Sequence, residues 1–243
     1  MMKPGNRRAF QALQLGPQWL PRVQAQPDAP TAPSPGADER PDPAPADRRS
    51  VIASLDWAAL ADQVADCRAC GLCQTRTRTV FGVGSRNARW MLIGEAPGAE
   101  EDQRGEPFVG KAGRLLDQML AAIQLNRRDD VFIANVLKCR PPGNRDPLPL
   151  EVASCEPYLM RQLQLVDPAI VVLLGRFAAQ SMLGSDASIA SLRGRLHRIR
   201  VGDRQVPAVV TYHPAYLLRN PADKGKVWRD LLLARQSVAA AAA

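Results

Sequence analysis

Four apolar runs constrain what this chain can fold into: Trp90-Met-Leu-Ile93, Val131-Phe-Ile-Ala134, Ala169-Ile-Val-Val-Leu-Leu174 and Val206-Pro-Ala-Val-Val-Thr211. Runs of this length, bounded by turn residues, read as strands, and the continuously apolar ones as strands buried on both faces. Strands are expected over 89–93, 131–135, 169–174 and 206–211, with a further one over 196–201. Helical spacing fills the intervals. Leu115, Leu116, Met119, Leu120 and Ile123 predict a helix over 112–123. Others are expected over 57–65, 150–166, 176–183 and 226–236. Strands alternating with helices predict an α/β fold, a three-layer α/β/α sandwich around a mainly parallel central sheet.

The 243 residues suffice for one sizeable domain, but the first 50 differ from the rest. Ten of the 21 prolines lie there, and residues 24–46 are mostly Pro, Ala and Asp. Such a stretch cannot bury enough apolar surface to offset its ordering entropy, so residues 1–50 read as a disordered arm. Within it, residues 8–15 have the pattern of a short amphipathic helix, a candidate peptide for a protein partner. The globular domain is expected over 51–238, with a frayed alanine tail at 239–243. A net charge of +8 and a pI near 9.7 favour polyanionic partners. No apolar run is long enough to span a membrane, and the N-terminus lacks the apolar core of a secretory signal. Five cysteines in such a chain predict a metal site in a reducing compartment, the cytoplasm, and not disulfides.

The chemistry-bearing residues gather in the loops that follow the strands. Gly94-Glu-Ala-Pro-Gly-Ala-Glu-Glu-Asp102 follows the first strand, where open α/β sheets place ligands. Its glycines and proline suit close approach of backbone to a ligand, though a tight turn with a solvated acidic run has the same composition. Asn135 ends the second strand as either a turn cap or a reader of a base edge. Phe108, in Gly105-Glu-Pro-Phe-Val-Gly-Lys-Ala-Gly113, is either core or a stacking platform. That loop lacks the full phosphate-loop pattern. His213 follows the last strand, where an imidazole can act as electrophile or acid, or serve structure alone. His197 reads as structural. Cys67, Cys70 and Cys73 form a C-x-x-C-x-x-C run, with Cys139 and Cys155 further on. Such spacing suits a cubane iron–sulfur cluster better than zinc and leaves one cysteine beyond four ligands.

Together these residues resemble the family 4 uracil-DNA glycosylases, the iron–sulfur branch of their superfamily. The likeness rests on G-E-A-P-G-A-E-E-D at 94–102, G-E-P-F-V-G-K-A-G at 105–113, N-V-L-K-C-R-P-P-G-N-R at 135–145, L-G at 174–175 and H-P-A-Y-L-L-R-N-P at 213–221. It runs in order from about Cys67 to Arg235 and leaves the arm outside. It implies flipping of uracil out of single- or double-stranded DNA and hydrolysis of its N-glycosidic bond by a monomer, held near the nucleoid by its substrate. It also implies a [4Fe–4S] cluster on Cys67, Cys70, Cys139 and Cys155, with Cys73 as the spare.

Site roles carry over position by position. Phe108 would stack on the flipped base, and Asn135 would read uracil N3–H and O4. His213 would donate to O2 as charge grows on the leaving base. The backbone of Glu95, Ala96 and Pro97 would line the pocket, and Glu101 would crowd the C5 position. Leu217 would wedge into the vacated stack and Arg219 would contact phosphate. Some superfamily branches orient the attacking water with Asp or Asn where this chain has Ala96, which leaves Glu95 as the nearest candidate. Three rivals remain: a non-enzymatic cluster-bearing DNA-binding module, a relative with altered base specificity, and an electron carrier. A relative that traps its product with a histidine-containing loop is disfavoured, because residues 141–153 contain no histidine.

Overall fold

The computed structural model describes residues 45–240, so the candidate partner peptide at 8–15 lies outside the described residues. Six strands form one sheet: β1 (Val83–Gly84), β2 (Trp90–Gly94), β3 (Val131–Asn135), β4 (Ile170–Leu174), β5 (Leu196–Val201) and β6 (Arg204–Thr211). Their spatial order is β1-β3-β2-β4-β6-β5. β3, β2, β4 and β6 run parallel, while β1 and β5 pair antiparallel at the two edges. The four apolar runs are thus the four parallel strands, and the expected fold class holds.

Alternate residues of each parallel strand enter two separate cores, as the period-two geometry of a strand requires. Met91 and Ile93 join one core; Trp90 and Leu92 join the other. The first core is closed by α5 (Pro149–Val166) and α6 (Arg176–Leu183), through Leu159, Leu163, Ala178 and Ala179. The second is closed by α4 (Lys111–Ala122) and α9 (Lys224–Ala240), through Leu116, Leu120, Leu231 and Ala234. Three layers result. Among the described residues no helix is long and apolar enough to cross a membrane.

Short elements that lacked a clear period emerge only here. α3 (Ala99–Arg104) places Glu100, Glu101 and Asp102 in its first turn, where the helix dipole favours anions. α7 (Ile189–Leu192) and α8 (Pro214–Arg219) are single turns or little more. The sequence reading also began the globular domain too late. α1 (Pro45–Ser54) precedes α2 (Trp57–Ala65), and Ile52, 1% exposed, packs with Leu60, Val64 and Tyr158. A proline at the helix start fits its first turn, so a Pro-rich composition up to residue 46 concealed the boundary. At the other end α9 takes in Ala239 and Ala240, and 241–243 lie outside the described residues.

Candidate active site

The four parallel strands deliver one functional segment each at their C-terminal ends. β2 ends at Gly94, β3 at Asn135, β4 is followed by Gly175, and β6 is followed by Tyr212 and His213. Strand order reverses around β2, and ligands of open α/β sheets bind at such a switch point. A cavity of about 480 Å³ opens there. Its walls include Glu95, Ala96, Pro97, Glu101, Phe108, Asn135, His213 and Arg219. Eight of the nine pocket and DNA-contact residues expected from sequence therefore meet in one place.

Backbone proximity is what makes the cavity possible. A Cβ on Gly94 would lie 2.4 Å from Asn135 Oδ1 and 2.7 Å from Phe108 Cζ. A Cβ on Gly113 would lie 1.7 Å from the Phe108 carbonyl oxygen. Glycine at both positions lets the strand end, the amide and the ring close on one another. Phe108 itself has φ 55°, a left-handed backbone that a bulky residue adopts only under constraint. Arg127 supplies part of that constraint by donating to the carbonyls of Pro107 (3.2 Å) and Phe108 (3.0 Å).

Glu101 joins the two glycine-containing loops. Its carboxylate accepts from the backbone N–H groups of Gly98 (3.1 Å), Val109 (3.0 Å) and Gly110 (3.3 Å). It stands at the cavity wall, with both oxygens engaged by backbone.

Asn135 is 2% exposed, and its Oδ1 is buried without a hydrogen-bond partner. A buried polar oxygen left unpaired costs about 1–3 kcal/mol, so its position on a cavity wall points to a ligand donor. The same residue's carbonyl accepts from Lys138 Nζ at 2.9 Å.

His213 caps the N-terminus of α8, and its Nδ1 accepts from Ala215 N–H at 3.1 Å. That bond assigns the ring proton to Nε2. Burial, reinforced by Arg219, pushes its pKa down to about 4, against an opposing pull from Glu101. The imidazole is therefore neutral at physiological pH and presents Nε2 as a donor. Its ring lies near-parallel to that of Phe108, with centroids 5.4 Å apart. Inserting a third ring between them would need about 7 Å, two van der Waals separations, so no ring fits between this pair as it stands. The Glu95 carboxyl is held above its ordinary range by burial and by Asp146, partly offset by Arg176.

One expected DNA contact is corrected. Leu217 is 1% exposed and packs in the second core, so it is not available as a wedge. Pro214 and Leu217 occupy the inward face of α8 and turn Leu218, 47% exposed, outward. Lys138 adds no cation to the surface, because it is 1% exposed and spends its ammonium on Asn135 O and Gln162 Oε1 (2.6 Å). Sequence reasoning also missed Ala112, Tyr216 and Asn144 on the cavity wall. Tyr216 stacks on Tyr212 at 4.6 Å, a pairing that the two aromatics four residues apart in the histidine motif could have suggested.

The cysteines assemble next to the cavity. Cys139 and Cys155 are buried with Leu72 and Leu137, and Cys70 and Ala96 pack against them. Burial pushes the Cys139 thiol up to about 11 and the Cys155 thiol up to about 12. Both are raised further by Cys70, and Cys139 by Cys67. Among the described residues no three His, Cys, Asp or Glu side chains converge as a single metal ion requires. Cys70, Cys139 and Cys155 share one apolar cluster and Cys67 packs in another, against Ile52, Leu60 and Val64, a spread that suits a multinuclear group with one sulfur for each metal better than a single ion. N–H donors already face these sulfurs, as thiolate ligands require: Arg76 Nη1 to Cys139 (3.2 Å) and Lys138 N to Cys155 (3.4 Å). Cys73 instead lines a separate hollow with Asp66, Arg68 and Arg76.

Known proteins are similar to this chain in sequence. The family model described as the uracil DNA glycosylase superfamily matches residues 81–232. A type-4 uracil-DNA glycosylase of Archaeoglobus fulgidus is 47% identical over 163 residues, 65% of this chain and 81% of that protein. Its counterpart from Sulfurisphaera tokodaii is 45% identical over 164 residues, 66% and 74% of the two chains. That of Pyrobaculum aerophilum is 40% identical over 183 residues, 74% and 93%.

Proposed function

The chain belongs to the uracil DNA glycosylase superfamily, and from that premise we propose that it is a DNA-repair hydrolase that flips uracil out of DNA and cleaves its N-glycosidic bond, leaving an abasic site. The observation that carries this reading is the unpaired Oδ1 of Asn135 on the wall of a cavity that Phe108 and His213 also line. Uracil N3–H is the donor this oxygen lacks, and the amide nitrogen then donates to O4. Cytosine reverses both groups, so it would leave the buried amide unpaired and be rejected.

Phe108 supplies the stacking face for the flipped ring. As the bond breaks, negative charge collects on the departing base. His213, neutral and donating through Nε2, stabilises it at O2 without a proton having to move. Pro97 and Glu101 form the wall against the C5 position, and Glu95 orients the attacking water. Arg219 on the cavity wall holds phosphate, while the Arg145 guanidinium is paired with Glu151. The protein acts as a monomer in the reducing cytoplasm. Cys67, Cys70, Cys139 and Cys155 would hold a [4Fe–4S] cluster, which knits the loop after α2 to the Asn135 loop and α5. When bound, the cluster supplies rigidity to this side of the cavity and takes no part in breaking the bond.

The test is incubation with a uracil-containing oligonucleotide followed by alkali. Strand scission at the uracil position, absent with a cytosine or thymine control, is expected. No scission from protein with a full complement of iron would favour a DNA-binding module instead.

A further inference from the structure

We propose that Arg48 and Arg76 form a clasp on the sulfur cage, two positioning residues that donate to ligand sulfurs and set the cluster's retention and reduction potential. This rests on the cluster reading above. The two guanidiniums reach the cage from different parts of the chain. Arg76 follows the Cys67–Cys73 run; Nη1 donates to Cys139 Sγ at 3.2 Å and Nη2 to the Ala65 carbonyl at 3.2 Å. Arg48 comes from α1; Nη2 lies 3.8 Å from Cys67 Sγ and Nη1 donates to the Ser154 carbonyl at 3.0 Å.

The construction is the same twice. One guanidinium nitrogen is anchored on a backbone carbonyl next to a ligand cysteine, and the other faces a sulfur. Ala65 precedes Cys67 by two residues, and Ser154 adjoins Cys155. Arg48 is held further by the ring of Tyr158, whose centroid lies 4.8 Å away. Tyr158 is itself buried and donates to the Gln63 carbonyl. A second arginine of α1, Arg49, pairs with Glu156 at 2.7 Å, so the helix is tied to α5 at two points. α1 precedes the residues that the family model matches, yet it places a cation on the cage.

Four thiolates concentrate negative charge in a half-apolar site. A fixed guanidinium donating to sulfur offsets part of that charge and satisfies a sulfur lone pair. It also favours the reduced, more negative state over the oxidised one, so losing it moves the potential down.

The experiment compares wild type with Arg48→Met, Arg76→Met and Arg76→Lys, each loaded with iron and sulfide. The readouts are iron bound per chain, the rate of bleaching by a chelator, and the midpoint potential in a dye-mediated titration. Both Met variants should bleach several-fold faster and have a more negative potential, with the larger shift in Arg76→Met, whose contact is shorter. Arg76→Lys should recover part of both. Faster bleaching with an unchanged potential in both Met variants would mean packing alone and would overturn the clasp. If Arg76→Met fails to load, loading restored by Lys supports the clasp, and Arg48→Met still reports the potential. Wild type without iron and labile sulfide would instead overturn the cluster reading itself.

Discussion

The roles proposed for Asn135 and His213 divide recognition from chemistry, and their surroundings let each be tested alone. His213→Ala removes a donor aimed at developing charge, which is worth roughly 3–4 kcal/mol, or about a hundred- to a thousandfold in rate. Single-turnover cleavage with saturating enzyme should fall by that factor while affinity for uracil-containing DNA changes little. Near-normal cleavage with weakened binding would make the histidine a positioning group. Its pKa near 4 also fixes a stability profile. An unfolded histidine takes up its proton near about 6.5. Between those two values the unfolded chain binds more protons, so this contribution is complete above the upper value and is lost as pH falls through the lower. Denaturation midpoints from pH 4 to 7 should show that slope in wild type and lack it in His213→Ala. Asn135→Asp replaces an amide with a group that has no N–H donor when ionised. It should weaken uracil release sharply, and cytosine release in a parallel assay should rise relative to uracil.

The elements that build the pocket are loops fixed by a few polar groups, and Glu101 is the clearest case. Three backbone N–H groups from two loops converge on its carboxylate. Glu101→Gln replaces one acceptor oxygen with a donor facing donors. It should cost about 1–3 kcal/mol in a urea titration and lower uracil release with it. The proposed cluster ligands come from three elements in the same way. Cys139→Ser should lose the brown colour and melt earlier, whereas Cys73→Ser should keep both colour and melting temperature. An unchanged cluster in Cys139→Ser would remove that residue from the ligand set. Continuous apolar runs and the longer helical periods were legible in the sequence: Trp57–Ala65, Val131–Asn135 and Arg176–Leu183 were expected with those bounds. α3 and α8 were not, because six residues are too few to display a helical period. That same shortness hid which face of α8 turns inward, so Leu217 was assigned to DNA and Leu218 is the exposed neighbour. Motif identity located the cavity; packing alone decides which side chain of a motif reaches it.

At the scale of the whole molecule, charge and chain extent are the quantities that bear on DNA. Arg219 lines the cavity, while Arg145 is paired with Glu151 and Lys138 has turned inward, so fewer cations face the substrate than the composition suggests. Each phosphate neutralised on duplex DNA contributes about −0.9 to the slope of log K against log salt. Arg219→Ala should therefore make that slope shallower by roughly one and weaken all sequences alike. The folded unit begins ahead of the composition change. Residues 45–54 form α1, with Ile52 in a core and Arg48 on the backbone of α5. Two deletions separate arm from fold. Removing residues 1–44 should leave cleavage of short oligonucleotides and the thermal midpoint close to those of the full chain. Removing residues 1–54 takes away a fully buried isoleucine and both α1 arginines. Loss of the isoleucine alone is worth about 2–5 kcal/mol. The longer deletion should melt far lower and bleach faster with chelator, even where initial cleavage survives. Equal melting of the two deletions would place α1 outside the cooperative unit and leave its arginines no part in holding the cage.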